Sequence, residues 1–124
     1  HHHLVRLRAL GPHDVARGAK RALEAAAQSG VELILCGHLH QSHVEHVEID
    51  VELGHRLVIA SAGTATSSRG RRSNRKVNFY NHICVWPEAF VVEERRFEPD
   101  STAFEPERAS RFERERIAEP SGPA

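Results

Sequence analysis

The chain has no excess charge of either sign: 17 Lys and Arg residues balance 17 Asp and Glu residues over 124 positions. A balanced chain sets up no whole-molecule field, so composition supplies no pull toward nucleic acid or an anionic membrane. No apolar run approaches the ~20 residues of a membrane-spanning helix. The N-terminus holds no signal-peptide core, which leaves the cytoplasm as the expected location. Cysteine is scarce. Cys36 and Cys84 both fall in apolar β-like runs, the pattern of buried reduced thiols rather than of a disulfide framework. There is no internal repeat, and the length suits one small domain with a core better than two.

Histidine is what the chain has in excess, with ten residues. Three of them, His1 to His3, open the chain and are either native or the remnant of a tag. Two others stand one residue apart in Gly37-His38-Leu39-His40, directly after the apolar run Val31-Glu32-Leu33-Ile34-Leu35-Cys36. That spacing brings two imidazoles into one small volume, and neutral imidazole is the commonest protein ligand for zinc, iron and nickel. A glycine before them is expected to let the backbone turn where a Cβ would obstruct.

Along the chain, Leu4 to Arg8 suits a strand or a strand exit that Gly11-Pro12 breaks. Val15, Ala19, Ala22, Leu23 and Ala26 recur at helical spacing, predicting a helix over about 14–29 with Asp14 as N-cap and Ser29-Gly30 as its end. Val31 to Cys36 then reads as a strand buried on both faces. Helix, short link, buried strand and ligand loop form the α/β pattern in which sites gather at the carboxyl ends of strands. Alternation over His43 to Leu53, a turn at Gly54-His55, and the apolar Leu57-Val58-Ile59-Ala60 predict two more strands. A polar loop follows from Ser61 to Asn74. Val77 to Trp86 and Ala89 to Phe97 predict a hairpin around Pro87-Glu88, with Phe79, Tyr80 and Trp86 in its core. Beyond Glu98 the composition turns to proline, serine and dense charge. A short surface helix carrying Phe112 is expected over Glu105 to Ile117, with disorder from Glu119 onward.

The Gly-His-x-His motif resembles the last signature of the calcineurin-like metallophosphoesterases. Ser61-Ala62-Gly63-Thr64 is similar to a Ser-x-Gly-Thr segment that follows it in bacterial members, and Asn78-Phe79-Tyr80-Asn81 to the Asn-x-x-Asn strand after that. His1-His2-His3-Leu4-Val5 resembles an earlier family segment in which a histidine ends a strand; His1 then takes the ligand position and His3 the place of a proline. The resemblance implies an α/β fold in which residues 1–97 form the C-terminal half of a metallophosphoesterase-type β-sandwich. Flanking helices and several antiparallel strands complete it, and 98–124 form a charged, partly disordered tail. It implies a metal-dependent hydrolase of phosphomonoesters or phosphodiesters acting through a metal-bound hydroxide. His38, His40 and His1 would hold the ions, two in the complete family site, as manganese, iron, zinc or cobalt.

Three family signatures are not found in this sequence: Asp-x-His, Gly-Asp, and Gly-Asn-His followed by an acid. By resemblance those segments carry the bridging carboxylate and an asparagine that meets substrate, so the chain is expected to lack the N-terminal ligand loops. It would then pair with that half or with itself. Three histidines without a carboxylate would suit one zinc or nickel with open positions for water. The alternative reading is a non-catalytic metal- or phosphate-binding fragment or interaction module. The partner expected in either case is a phosphate-ester small molecule, with no membrane.

Other residues carry plainer readings. Arg69 and Arg71, with Arg72, Arg75 and Lys76, make either a phosphate-recruiting rim, for which planar guanidinium is suited, or a solvated loop. A nucleic-acid surface fits poorly, since no aromatics interleave with these charges. Cys36, among leucine and isoleucine, is expected to be a packed thiol. His43 and His46 are expected to face solvent, His55 to occupy a turn, His82 a strand, and His13 to make local contacts.

Overall fold

Leu57, Val58, Ile59 and Ala60 lie on a strand with neighbours on both sides and are all buried. A computed structural model describes residues 2–37, 39, 41–50, 55–66 and 77–114, with the backbone alone at 48–50, 55 and 56. In it β1 (Leu33–Cys36), β2 (His43–Asp50) and β3 (His55–Ser61) make one sheet in the order β1-β3-β2. β1 runs parallel to β3, pairing Leu33 with Val58 and Cys36 with Ser61, whereas β2 is antiparallel to it. A second sheet is the antiparallel meander β4 (Phe79–Val85), β5 (Ala89–Glu98) and β6 (Ala103–Glu113).

Alternation along β3 divides its side chains between two cores. Val58 and Ala60 meet Phe90 and Val92 of β5, with Leu33, Val44, Ile83 and Phe112 around them, so the two sheets pack face to face. Ile59 points the other way, into a cluster with Leu7, Leu10 and Leu39 that Val5, Cys36 and Val47 border. Full burial of a valine or leucine side chain is worth roughly 1.5–3 kcal/mol, and Leu57 and Val92 are both fully buried.

The helix is α1 (Ala19–Gln28), which contacts β2 and β3. Its end follows the sequence reading: Ser29 is the C-cap, and Gly30 takes φ 70° while the Val31 N–H donates to the Ala26 carbonyl. Its start does not. Asp14 is no cap; the N-cap is Gly18 at φ 77° with no side-chain hydrogen bond. The residues between serve tertiary structure instead, since the Ala16 N–H donates to the His3 carbonyl at 2.8 Å. Flanking helices were expected in the plural, and α1 is the α-helix among the described residues. No helix there is long and apolar enough to cross a membrane.

Three further expectations are corrected. The described part of the segment expected as a surface helix, up to residue 114, is instead β6 and the residue after it. Phe112 is not on a helix face but lies 5.3 Å from the Phe90 ring, centroid to centroid, and 4.7 Å from that of His46. β1 is not buried on both faces: no strand flanks it on its far side among the described residues, and Leu35 is 59% exposed. Trp86, expected in the hairpin core, is 43% exposed, while Phe79 is buried as expected and the Tyr80 ring packs on Phe104. The hairpin itself forms as predicted, around Pro87-Glu88.

Arg114 ties the two sheets together at one end. Its Nε and Nη2 reach Glu32 Oε2 at 2.9 Å each, and Nη1 donates to the Trp86 carbonyl at 3.0 Å. Both charged side chains are about 30% exposed or less, which limits screening of the pair.

Candidate metal centre

The chain leaves β1 at Gly37, at the carboxyl end of a strand whose neighbour runs parallel to it. The Ala62 N–H donates to the Cys36 carbonyl at 2.9 Å, extending the pairing to the last residue before the motif. The Leu39 N–H then donates to the Gly37 carbonyl at 2.9 Å, so the backbone turns at once. Leu39, the apolar residue between the two motif histidines in sequence, is buried against Leu7, Leu10 and Ile59 and anchors the segment. The obstruction expected at Gly37 is absent: a Cβ placed there meets nothing within 4 Å.

His38, His40 and His1, the expected metal ligands, lie outside the described residues, as do Arg69 and Arg71 of the expected phosphate rim. Among the described residues no group of three or more His, Cys, Asp or Glu side chains gathers as a metal ion would require. The described residues by themselves therefore do not make a metal centre.

Cys36 Sγ lies 3.5 Å from His3 Nδ1 and 3.9 Å from the Ala60 carbonyl oxygen. Burial pushes the Cys36 thiol up to about 11. That is the packed, protonated thiol expected from its apolar setting. His3 is only 1% exposed, and its ring meets that of His13 edge-on at 5.1 Å. His13 makes the local contacts expected of it, with Nδ1 2.7 Å from the Gly11 carbonyl and Nε2 3.3 Å from that of Val5. His43 Nε2 sits 2.7 Å from Glu45 Oε2, and His82 is exposed beside Glu93.

The segment after β3 is held in place by both asparagines of the Asn-x-x-Asn strand. Asn78 Nδ2 donates to the Thr64 carbonyl at 3.0 Å and Asn81 Nδ2 to the Ser61 carbonyl at 3.3 Å. The Ser61 hydroxyl, fully buried, donates to the Gln41 carbonyl at 2.8 Å, which joins the residue just past the motif to the end of β3. The Ser61 to Thr64 segment and the motif segment are thus parts of one hydrogen-bonded layer.

The surroundings of two residues in this region escaped the sequence reading. His3, given only the place of a proline by resemblance, is buried beside Cys36. Glu94 did carry a local signal. It continues the inward alternation Phe90, Val92, Glu94 of β5, and an acid at an inward position is a polar group that must find a partner.

No protein-family model matches the chain, and no curated protein does. Two solved structures align with it, a single mutant and a double mutant of Vps29 from Entamoeba histolytica. The TM-scores are 0.48 and 0.47 and the identities 15% and 17%. Each alignment covers 79% of this chain and 47% of the other, so the chain spans about half the length of the structures it matches. At these scores the likeness is too slight to establish a common fold or a shared activity.

Proposed function

We propose that the chain is the histidine-bearing part of a metal-dependent phosphoesterase, with His38, His40 and His1 as ligands to divalent transition metal ions. The observation that carries this reading is positional. Gly37-His38-Leu39-His40 follows β1 at the carboxyl end of a parallel strand pair, where α/β sheets build their sites. The hydrogen-bonded Ser61 to Thr64 segment and its two asparagine ties support it, since these are the other stretches that resemble the calcineurin-like family. The bound ion would supply a hydroxide at neutral pH and polarise the phosphoryl oxygens. Arg69 and Arg71 would meet the phosphate through their planar guanidinium groups.

Hydrolysis of bis(4-nitrophenyl) phosphate with added manganese, cobalt or zinc tests the reading. Turnover above background that disappears in His38→Ala/His40→Ala would support a hydrolase. The sequence contains no Asp-x-His, Gly-Asp or Gly-Asn-His motif, which favours a second reading, a non-catalytic metal- or phosphate-binding fragment. Stoichiometric metal uptake lost in the same double variant, without turnover, would favour that one. No metal uptake at all would remove the phosphoesterase reading and the metal-binding form of the second.

A further inference from the structure

A cavity of about 420 Å³ opens beside residues 41–43, lined among others by Gln41, Ser42, Phe79, Glu94, Arg96 and Arg108. Its inner wall holds a carboxylate that is only half satisfied. Glu94 is 6% exposed, and its Oε1 accepts a hydrogen bond from the Ser42 hydroxyl at 2.6 Å. Its Oε2 is buried and has no hydrogen-bond partner among the described residues. The residue directly across the β4–β5 ladder, Asn81, spends its Nδ2 on the Ser61 carbonyl, and its Oδ1 is likewise buried without a donor. Two acceptors thus stand on neighbouring strands of one sheet face, and no N–H or O–H of the described chain serves them. Buried carboxylate oxygens are ordinarily paired, so a donor from outside the chain is the simplest way to meet this demand.

The cavity rim carries two arginines, Arg96 and Arg108, with the acidic Glu107 among them. Arg96 shares its Nε with Glu98 at 3.5 Å and is 40% exposed at its side chain, which leaves part of its guanidinium to the cavity. Arg108 pairs with Glu94 in the β5–β6 register and is exposed. A buried acceptor below and guanidinium groups above select a dipolar occupant: N–H donors at one end, an oxyanion at the other. A simple anion would leave Glu94 unserved, and a simple cation would face two arginines.

We propose that this cavity binds a small zwitterion, an amine or amidine that donates to Glu94 Oε2 joined to an oxyanion held by Arg96 and Arg108. The proposal stands apart from the phosphoesterase reading, because no histidine of the motif takes part in it.

Nuclear magnetic resonance titration of the full chain tests it with four probes: O-phosphoethanolamine, β-alanine, ethanolamine and inorganic phosphate. At least one of the first two is expected to shift resonances of residues 41–43, 79, 94–96 and 108 at millimolar concentration. Which of the two binds tighter distinguishes a phosphate from a carboxylate. Glu94→Gln should weaken that binding about tenfold or more, the scale of losing one charge-assisted hydrogen bond. Arg108→Ala, at an exposed strand position that does not threaten the fold, should weaken it severalfold. Inorganic phosphate binding as well as the zwitterions would overturn the proposal. So would binding indifferent to both substitutions, or no response to any probe. If Glu94→Gln does not fold, Arg108→Ala decides alone.

Discussion

Gly63 lies against Phe79 so closely that a Cβ on the glycine would sit 2.8 Å from the phenylalanine Cβ. The neighbour is the first carbon of a buried side chain, which cannot swing aside. Glycine here serves close approach and not backbone freedom, in contrast to Gly30 at its positive φ. Gly63→Ala should therefore push the Ser61 to Thr64 segment off β4 and cost about 1–3 kcal/mol, the usual penalty of overpacking. Urea unfolding should show a lower midpoint at an unchanged slope. An unchanged midpoint would mean that the segment does not pack as described.

The asparagine ties can be tested one at a time. Asn78→Ala removes the donor to the Thr64 carbonyl and should cost about 1 kcal/mol. Amide exchange should quicken at residues 62–66 more than at the centre of β5. Equal quickening everywhere would assign the loss to general destabilisation.

The Cys36 thiol makes stability depend on alkaline pH. Its folded value, about 11, lies above the ordinary 9.0, so between these values the unfolded chain releases a proton that the folded chain keeps. Release on unfolding favours the unfolded state as pH rises. Stability should be level below about pH 9 with respect to this group and fall as pH climbs toward 11. Urea midpoints collected across that window should decline in the parent and decline less in Cys36→Ala. Parallel curves would show that Cys36 does not titrate as its burial requires.

Among the described residues β1 is an edge strand, and the Leu35 side chain on it is largely exposed. Leu35→Lys should change folding stability by no more than about 0.5 kcal/mol, as surface substitutions generally do. A lysine on an edge strand discourages pairing with other chains. Light scattering should show association of the parent at high concentration and a shift toward monomer in the variant. A parent that stays monomeric throughout would count against an adhesive edge.

Sequence patterns located the helix end at Ser29-Gly30, the β2–β3 pair and the hairpin at Pro87-Glu88, because each depends on turn chemistry or alternation within a few residues. β6 was misread for a physical reason. Its dense charge resembles a solvated helix, and Phe104 and Phe112, eight apart, fit either period. Pro106 did not separate the two readings, because proline is tolerated both in the first turn of a helix and on an edge strand; here it pairs with Arg95, next to a register shift that leaves Glu107 of β6 without a partner in the ladder. The late start of α1 and the exposure of Leu35 on β1 depend on what packs against them, the His3 carbonyl in one case and, among the described residues, an uncovered flank in the other. Alternation shows which face turns inward but not whether anything covers the other. The place of the motif at the end of β1 was legible from the apolar run before it. The expected ligands themselves lie outside the described residues.

The strand orders of the two sheets also bear on how the chain reaches its final form. β4, β5 and β6 are consecutive hairpins, so their assembly needs only short loops to close. β1 must instead wait for β3, with all of β2 lying between them in the chain. Local closure is quick and distant closure slow. The meander should thus protect its amides early in refolding, with the β1–β3 ladder ordering last.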